Sequence, residues 1–112
     1  MKSFKIMLSA SLVAMATVGA AQADKLTLYC SAQEDWCQLM ANNFQDATGI
    51  KVAMTRKSSG ETFAQIKAES SNPKGDVWWG GTGDPHLQAA EEGLTASYMS
   101  PMRDQLHPWA IS

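Results

Sequence analysis

Residues 44–63, FQDATGIKVAMTRKSSGETF, decide the fold. Gly49 followed by Ile50 reads as a helix stop, a glycine free to take left-handed angles with a hydrophobic residue clasping back. Upstream of that stop, Trp36, Leu39, Met40, Phe44 and Ala47 recur at spacings of three and four and define one helical face. Ile50 to Met54 is a short apolar run of strand character. Thr55 to Gly60 is a small polar loop, and Ser58 with Glu61 three residues on forms the pattern of a capping box. The helix that follows turns Phe63 and Ile66 inward and is broken by Asn72-Pro73-Lys74-Gly75. Helix, strand and helix thus follow one another across a single short stretch.

The same unit recurs on both sides. Leu26 to Cys30 is strand-like and leads through Ser31-Ala32-Gln33-Glu34, a second capping-box pattern, into the helix of Trp36. Downstream, Val77-Trp78-Trp79 runs into Gly80-Gly81-Thr82-Gly83. A third helix is expected from Pro85, with Asp84 as its N-cap, Leu87 and Ala90 inward, and Gly93-Leu94 as its stop. Three alternating strand–helix units predict an α/β layer on a parallel sheet. Parallel strands deliver their following helix starts to one sheet edge, where free backbone N–H groups and positive helix ends collect. After Leu94 the pattern fades: Thr95 to Ser112 holds Tyr98, Pro101, His107, Pro108 and Trp109 without a period.

The amino terminus, MKSFKIMLSASLVAMATVGAAQA, places Lys2 and Lys5 before an apolar stretch from Ile6 to Val18 and ends in Ala21-Gln22-Ala23. That order predicts a secretory signal peptide cleaved after Ala23, since the apolar run is short of the length a membrane-spanning helix needs. Residues 1–23 are read as signal and residues 24–112 as one unit; removing 23 of 112 residues leaves 89. Those 89 carry seven Lys and Arg against eleven Asp and Glu, a formal charge of −4. A chain of that sign and size argues against nucleic acid and anionic membrane surfaces as partners, and can bury one modest core. Cys30 and Cys37 are the only cysteines. Their spacing is neither C-x-x-C nor half a zinc ribbon, and an oxidising compartment favours a disulfide over two buried free thiols.

Candidate chemistry gathers at the helix starts. Gly80-Gly81-Thr82-Gly83 is not a dinucleotide fingerprint and precedes no Gly-Lys-Ser. It reads either as a tight turn needing positive φ or as backbone on which a ligand lies at the sheet's carboxyl edge. Ser58-Ser59-Gly60 offers two hydroxyls, one surplus to capping, beside Arg56 and Lys57. Trp78 and Trp79 point to opposite faces of a strand; Trp78 is expected in the core, and Trp79 is left open as core or cleft wall. His86 and His107 lack metal-ligand spacing, and His86 reads as a first-turn surface residue. No G-x-S-x-G surrounds Ser58 or Ser59, so a small secreted α/β hydrolase using Ser58 or His86 is the minor alternative.

The ordered segments LTLYCSAQEDWCQLM, FQDATGIKVAMTRKSSGETFAQIKAE and NPKGDVWWGGTGDPHLQAAEEGL, from Lys25 to about Leu94, resemble the periplasmic solute-binding proteins of ABC importers, in the ferric-iron-binding-like branch. The resemblance implies a periplasmic binding protein type 2 fold, of which this chain is the incomplete first lobe, as in a truncated gene, a fragmentary sequence or a split protein. It also implies a periplasmic, monomeric, non-enzymatic protein that meets the membrane only through an ABC importer permease. Ferric members resemble this chain but place a metal-binding His where it has Gln33 and a carboxylate where it has Gly81. Hard Fe³⁺ wants anionic oxygen, which neither supplies. The solute implied is therefore a small anion of organic phosphate or phosphonate type, with ferric iron as the alternative and no cofactor or resident metal. The expected ligand set is Ser31, Gln33, Ser58, Ser59, Gly60, Trp79, Gly81, Thr82 and Gly83, with the glycines leaving room for a bulkier solute against Trp79.

Overall fold

The computed structural model describes residues 24–111; the expected signal peptide lies outside the described residues. Three strand–helix units follow in order: β1 (Lys25–Cys30), α1 (Glu34–Thr48), β2 (Lys51–Arg56), α2 (Ser59–Ala68), β3 (Val77–Trp79) and α3 (Gly83–Glu91). Two short 3-10 turns, Arg103–Gln105 and Pro108–Ala110, lie in the segment that has no sequence period. The strands form one parallel sheet in the order β2-β1-β3, so the expected α/β architecture is present. β2 runs two residues beyond the expected Met54, because Tyr29 and Cys30 still pair with Thr55 and Arg56.

Register assigns the two faces. Cys30 pairs with Trp79 and Tyr29 with Trp78, and paired residues in a parallel ladder point to the same side. Leu28 and Cys30 therefore face α1, where they pack with Cys37 and Ala41, and Leu26, Val52, Met54 and Trp79 close around them. Tyr29, Ser31 and Trp78 face α2 and α3. Both tryptophans are half-buried: Trp79, left open as core or cleft wall, packs against the apolar cluster, while Trp78, expected in the core, lies on the more polar face.

The α1 stripe is also rotated from its expected position. Cys37 and Ala41 are buried, whereas Trp36, Leu39, Met40 and Phe44 are exposed to varying degrees. Periodicity locates an apolar face, but the disulfide decides which part of it touches the sheet. Cys30 at the end of β1 is bonded to Cys37 in α1, with Cα atoms 6.0 Å apart, as favoured from compartment and count. In α3, Leu87 is 65% exposed and Ala90 is exposed, while Ala89 is buried. The inner face of α3 is therefore set one position away from the expected one.

The helix stops behave as read. Gly49 takes φ +73° and donates to the Gln45 carbonyl. After α3, Gly93 at φ +70° donates to Ala90 and Leu94 donates to Ala89, the paired bonds of a left-handed stop.

Candidate functional site

Three helix starts converge at the carboxyl edge of the sheet, and each is built differently. At α2, Ser58 is the N-cap and the capping box is complete: Glu61 N–H donates to Ser58 Oγ, and Ser58 N–H donates to the Glu61 carboxylate. Ser58 Oγ also donates to that carboxylate at 2.7 Å. These bonds from Ser58 hold the Glu61 carboxyl below the ordinary value of 4.5. The Ser58 hydroxyl proton is thereby committed, which leaves Ser59 as the uncommitted hydroxyl of the pair.

At α1 the expected Ser31–Glu34 box is absent. Gln33 is the N-cap and makes no side-chain cap bond. Ser31 is diverted because the ladder continues through it: its N–H donates to the Trp79 carbonyl at 2.9 Å, turning its side chain under the loop edge. There Ser31 Oγ accepts from Trp78 Nε1 at 2.9 Å and pairs with Thr62 Oγ1 at 3.1 Å. At α3 the N-cap is Thr82 rather than Asp84, and the helix begins at Gly83. Pro85 falls third, where its missing N–H has no intrahelical partner to lose.

The glycine loop is closed onto α2 and α3 by side chains. Thr82 N–H donates to Ser59 Oγ at 3.2 Å, and His86 Nε2 meets the Gly80 carbonyl at 2.9 Å. Gly80 and Gly81 stand at φ +81° and +93°, where a side chain is strained. A Cβ on Gly80 would come within 2.8 Å of Ala32 Cβ. One on Gly81 would collide with Ser59 Oγ and come within 2.9 Å of Ser31 Cβ. The space above Gly81 is thus filled by the chain's own serines, which corrects the expectation that the glycines leave room for solute against Trp79.

These contacts bring Ser31, Ser59, Gly81 and Thr82 together, with Ser58, Gly60 and Gly83 at the adjoining helix starts. Trp79 stands apart on the α1 face, and Gln33 is exposed with no hydrogen bond that joins it to the group. His86, expected as a surface residue, is half-buried and stacks on Trp78 with ring centroids 3.8 Å apart. Its involvement had no signal in the sequence, because it depends on how the loop folds back to bring the Gly80 carbonyl, six residues upstream, to the ring.

Chemically, the group offers hydroxyls and backbone N–H donors. The first residues of a helix have N–H groups without intrahelical acceptors, here at Ser59, Gly60, Gly83 and Asp84. Among the described residues no cluster of three or more His, Cys, Asp or Glu could hold a metal ion. No buried side-chain nitrogen or oxygen among them lacks a partner.

A family model of bacterial extracellular solute-binding proteins matches residues 26–110. An uncharacterized protein of Haemophilus influenzae is 41% identical over 111 residues, 95% of this chain and 32% of that protein. The periplasmic binding protein AfuA of Actinobacillus pleuropneumoniae, solved with exogenous fructose 6-phosphate bound, superposes with a TM-score of 0.75 at 45% identity, over 78% of this chain and 27% of that one. The periplasmic binding protein P5PA superposes at 0.74 with 37% identity, over 77% and 27% of the two chains. Iron-bound HitA of Pseudomonas aeruginosa gives 0.67 at 28% identity, over 74% and 27%. The chain spans about a third or less of the length of these relatives.

Proposed function

Because the chain belongs to the bacterial extracellular solute-binding proteins, we propose that it contributes one wall of the solute cleft of an ABC importer's periplasmic binding component. Residues 24–112, behind a signal peptide of residues 1–23, form the amino-terminal part of the first lobe and deliver solute to a membrane permease. The solute is a small organic anion carrying a phosphate or phosphonate. The observation that carries this reading is the convergence of Ser31, Ser59 and Gly81 at one sheet edge, between the starts of α2 and α3. Ser59 accepts from Thr82 and keeps its own proton to donate, and the N–H groups of Gly60 and Gly83 lie at positive helix ends. The fructose 6-phosphate bound by the relative at 45% identity supports the phosphate class.

Two other readings have less support. Iron is bound by the relative at 28% identity, but Gln33 and Gly81 bring no anionic oxygen to this edge. Hydrolysis would need an activated serine; Ser58 is committed to Glu61 and His86 to Gly80, so the site is read as binding and not catalytic.

The test is a titration of the ¹⁵N-labelled chain with fructose 6-phosphate, inorganic phosphate and ferric citrate, followed by amide shifts. With one wall of a cleft, dissociation constants on the order of millimolar are expected for the two phosphates. Shifts should be centred on Ser59, Gly60, Gly81 and Gly83. Selective broadening by ferric citrate, with no response to either phosphate, would reverse the assignment in favour of iron.

A further inference from the structure

We propose that His86 is the positioning residue of the Gly80–Gly83 loop, aiming the Gly81 N–H at the solute without touching the solute itself. This rests on the anion-binding reading above. A carbonyl oxygen can only accept, so the 2.9 Å contact between His86 Nε2 and the Gly80 oxygen requires the proton on Nε2. Both the Nε2–H tautomer and the imidazolium satisfy this.

The consequence follows from peptide geometry. The Gly80–Gly81 peptide is trans, as all described peptides are, and in a planar trans unit the C=O and N–H point in opposite directions. Holding the Gly80 oxygen toward α3 therefore turns the Gly81 N–H away from α3, at a residue that is itself exposed. Two consecutive glycines at positive φ have little side-chain restraint of their own. Their orientation is bracketed from outside, by His86 at the Gly80 carbonyl and by Ser59 at the Thr82 N–H.

His86 is itself held. Its ring stacks on Trp78 at an interplanar angle of 25°. The Trp78 indole donates to Ser31, and Ser31 pairs with Thr62, which is 2% exposed. A continuous chain of contacts thus runs Thr62–Ser31–Trp78–His86–Gly80, from the inner face of α2 to the loop, hydrogen-bonded at every link except the Trp78–His86 ring stack. The same stack could serve packing alone, so donation and stacking have to be separated.

Three variants of the ¹⁵N-labelled chain separate them. His86→Phe keeps a ring on Trp78 but has no donor, His86→Gln keeps an N–H donor without the ring, and His86→Ala keeps neither. Two readouts are taken: the Gly81 amide resonance of the free chain, and the dissociation constants for fructose 6-phosphate and inorganic phosphate. Phe and Ala should displace the Gly81 resonance and weaken both ligands about tenfold, the loss of one hydrogen bond's ordering effect. Gln should remain within about threefold of wild type. If Phe leaves the Gly81 amide in place, or moves it without changing affinity, the inference is overturned and His86 is a packing residue. If the wild-type chain responds to neither phosphate while Phe and Ala still displace Gly81 and Gln does not, His86 sets the loop and it is the anion reading that fails.

Discussion

Gly81 stands at φ +93° with Ser59 and Ser31 packed over the place a side chain would occupy, so two independent penalties fall on any replacement. Gly83, two residues on, lies outside the positive-φ region, and nothing stands within 4 Å of the place its Cβ would take. Gly81→Ala should therefore cost about 1–3 kcal/mol of stability, and Gly83→Ala should be nearly neutral or slightly stabilising. Urea denaturation of the two variants checks the contrast; equal effects would mean that the loop yields freely at Gly81. Ser59 belongs to the same contact and, on the proposed reading, also donates to the solute. Ser59→Ala removes the acceptor for the Thr82 N–H and a donor to the solute, and should weaken fructose 6-phosphate by a factor corresponding to about 1–3 kcal/mol, read from the amide titration. The need for glycine here was legible from the sequence, because a run of glycines after a strand demands unusual backbone. What approaches the backbone was not, since Ser59 lies 22 positions upstream of Gly81 and only the register of β1, β2 and β3 brings them together.

The capping box at the start of α2 is the element whose sequence pattern and structure agree most fully, because all of its partners lie within four consecutive residues. Ser58→Ala removes the cap and should lower stability by about 1 kcal/mol, measured as a shift in the urea midpoint. Its pH dependence follows from Glu61, whose carboxyl the Ser58 bonds hold below 4.5. A depressed folded-state pKa gives a contribution that is fully present above 4.5 and lost as pH falls through the lower folded-state value. The difference in stability between wild type and Glu61→Gln should accordingly shrink on acidification below pH 4.5, as acid titrations of the urea midpoint would record. The Ser31–Glu34 pattern is equally good on paper and forms no box. Its serine is claimed by Trp78 and Thr62, partners 47 and 31 residues away that no local pattern reveals. At α3 the Asp84-Pro85 pair points to a start later than the one observed, because proline is tolerated throughout the first turn and does not mark its first residue uniquely. That offset carries over to the inner face, where His86 and Ala89 take the places expected of Leu87 and Ala90.

At the scale of the whole molecule the buried apolar set among the described residues is small: Leu28, Tyr29, Cys30, Cys37, Ala41 and Ala89. Two of these six are the disulfide, and both are fully buried. A core of this size supplies only a few kcal/mol of net stability, so the cross-link carries a large share. Closing a loop over a separation of seven residues should stabilise by about 2–3 kcal/mol through the entropy it removes from the unfolded chain. The bridge also holds α1 against the sheet at Cys37, with Ala41 buried one turn on and Trp36 and Leu39 exposed. Reduction should then do two separable things. It should lower the urea midpoint by an amount corresponding to about 2–3 kcal/mol, and it should loosen α1 before α2, because α2 is tied to the sheet edge by Thr62 and to α3 by the Lys67–Glu92 ion pair at 2.9 Å. Amide exchange with and without reductant checks the order. Faster exchange in Cys37 to Phe44, with Thr62 to Ile66 still protected, is the expected result; simultaneous loss in both helices would mean that the bridge supports the entire sheet rather than one of its faces.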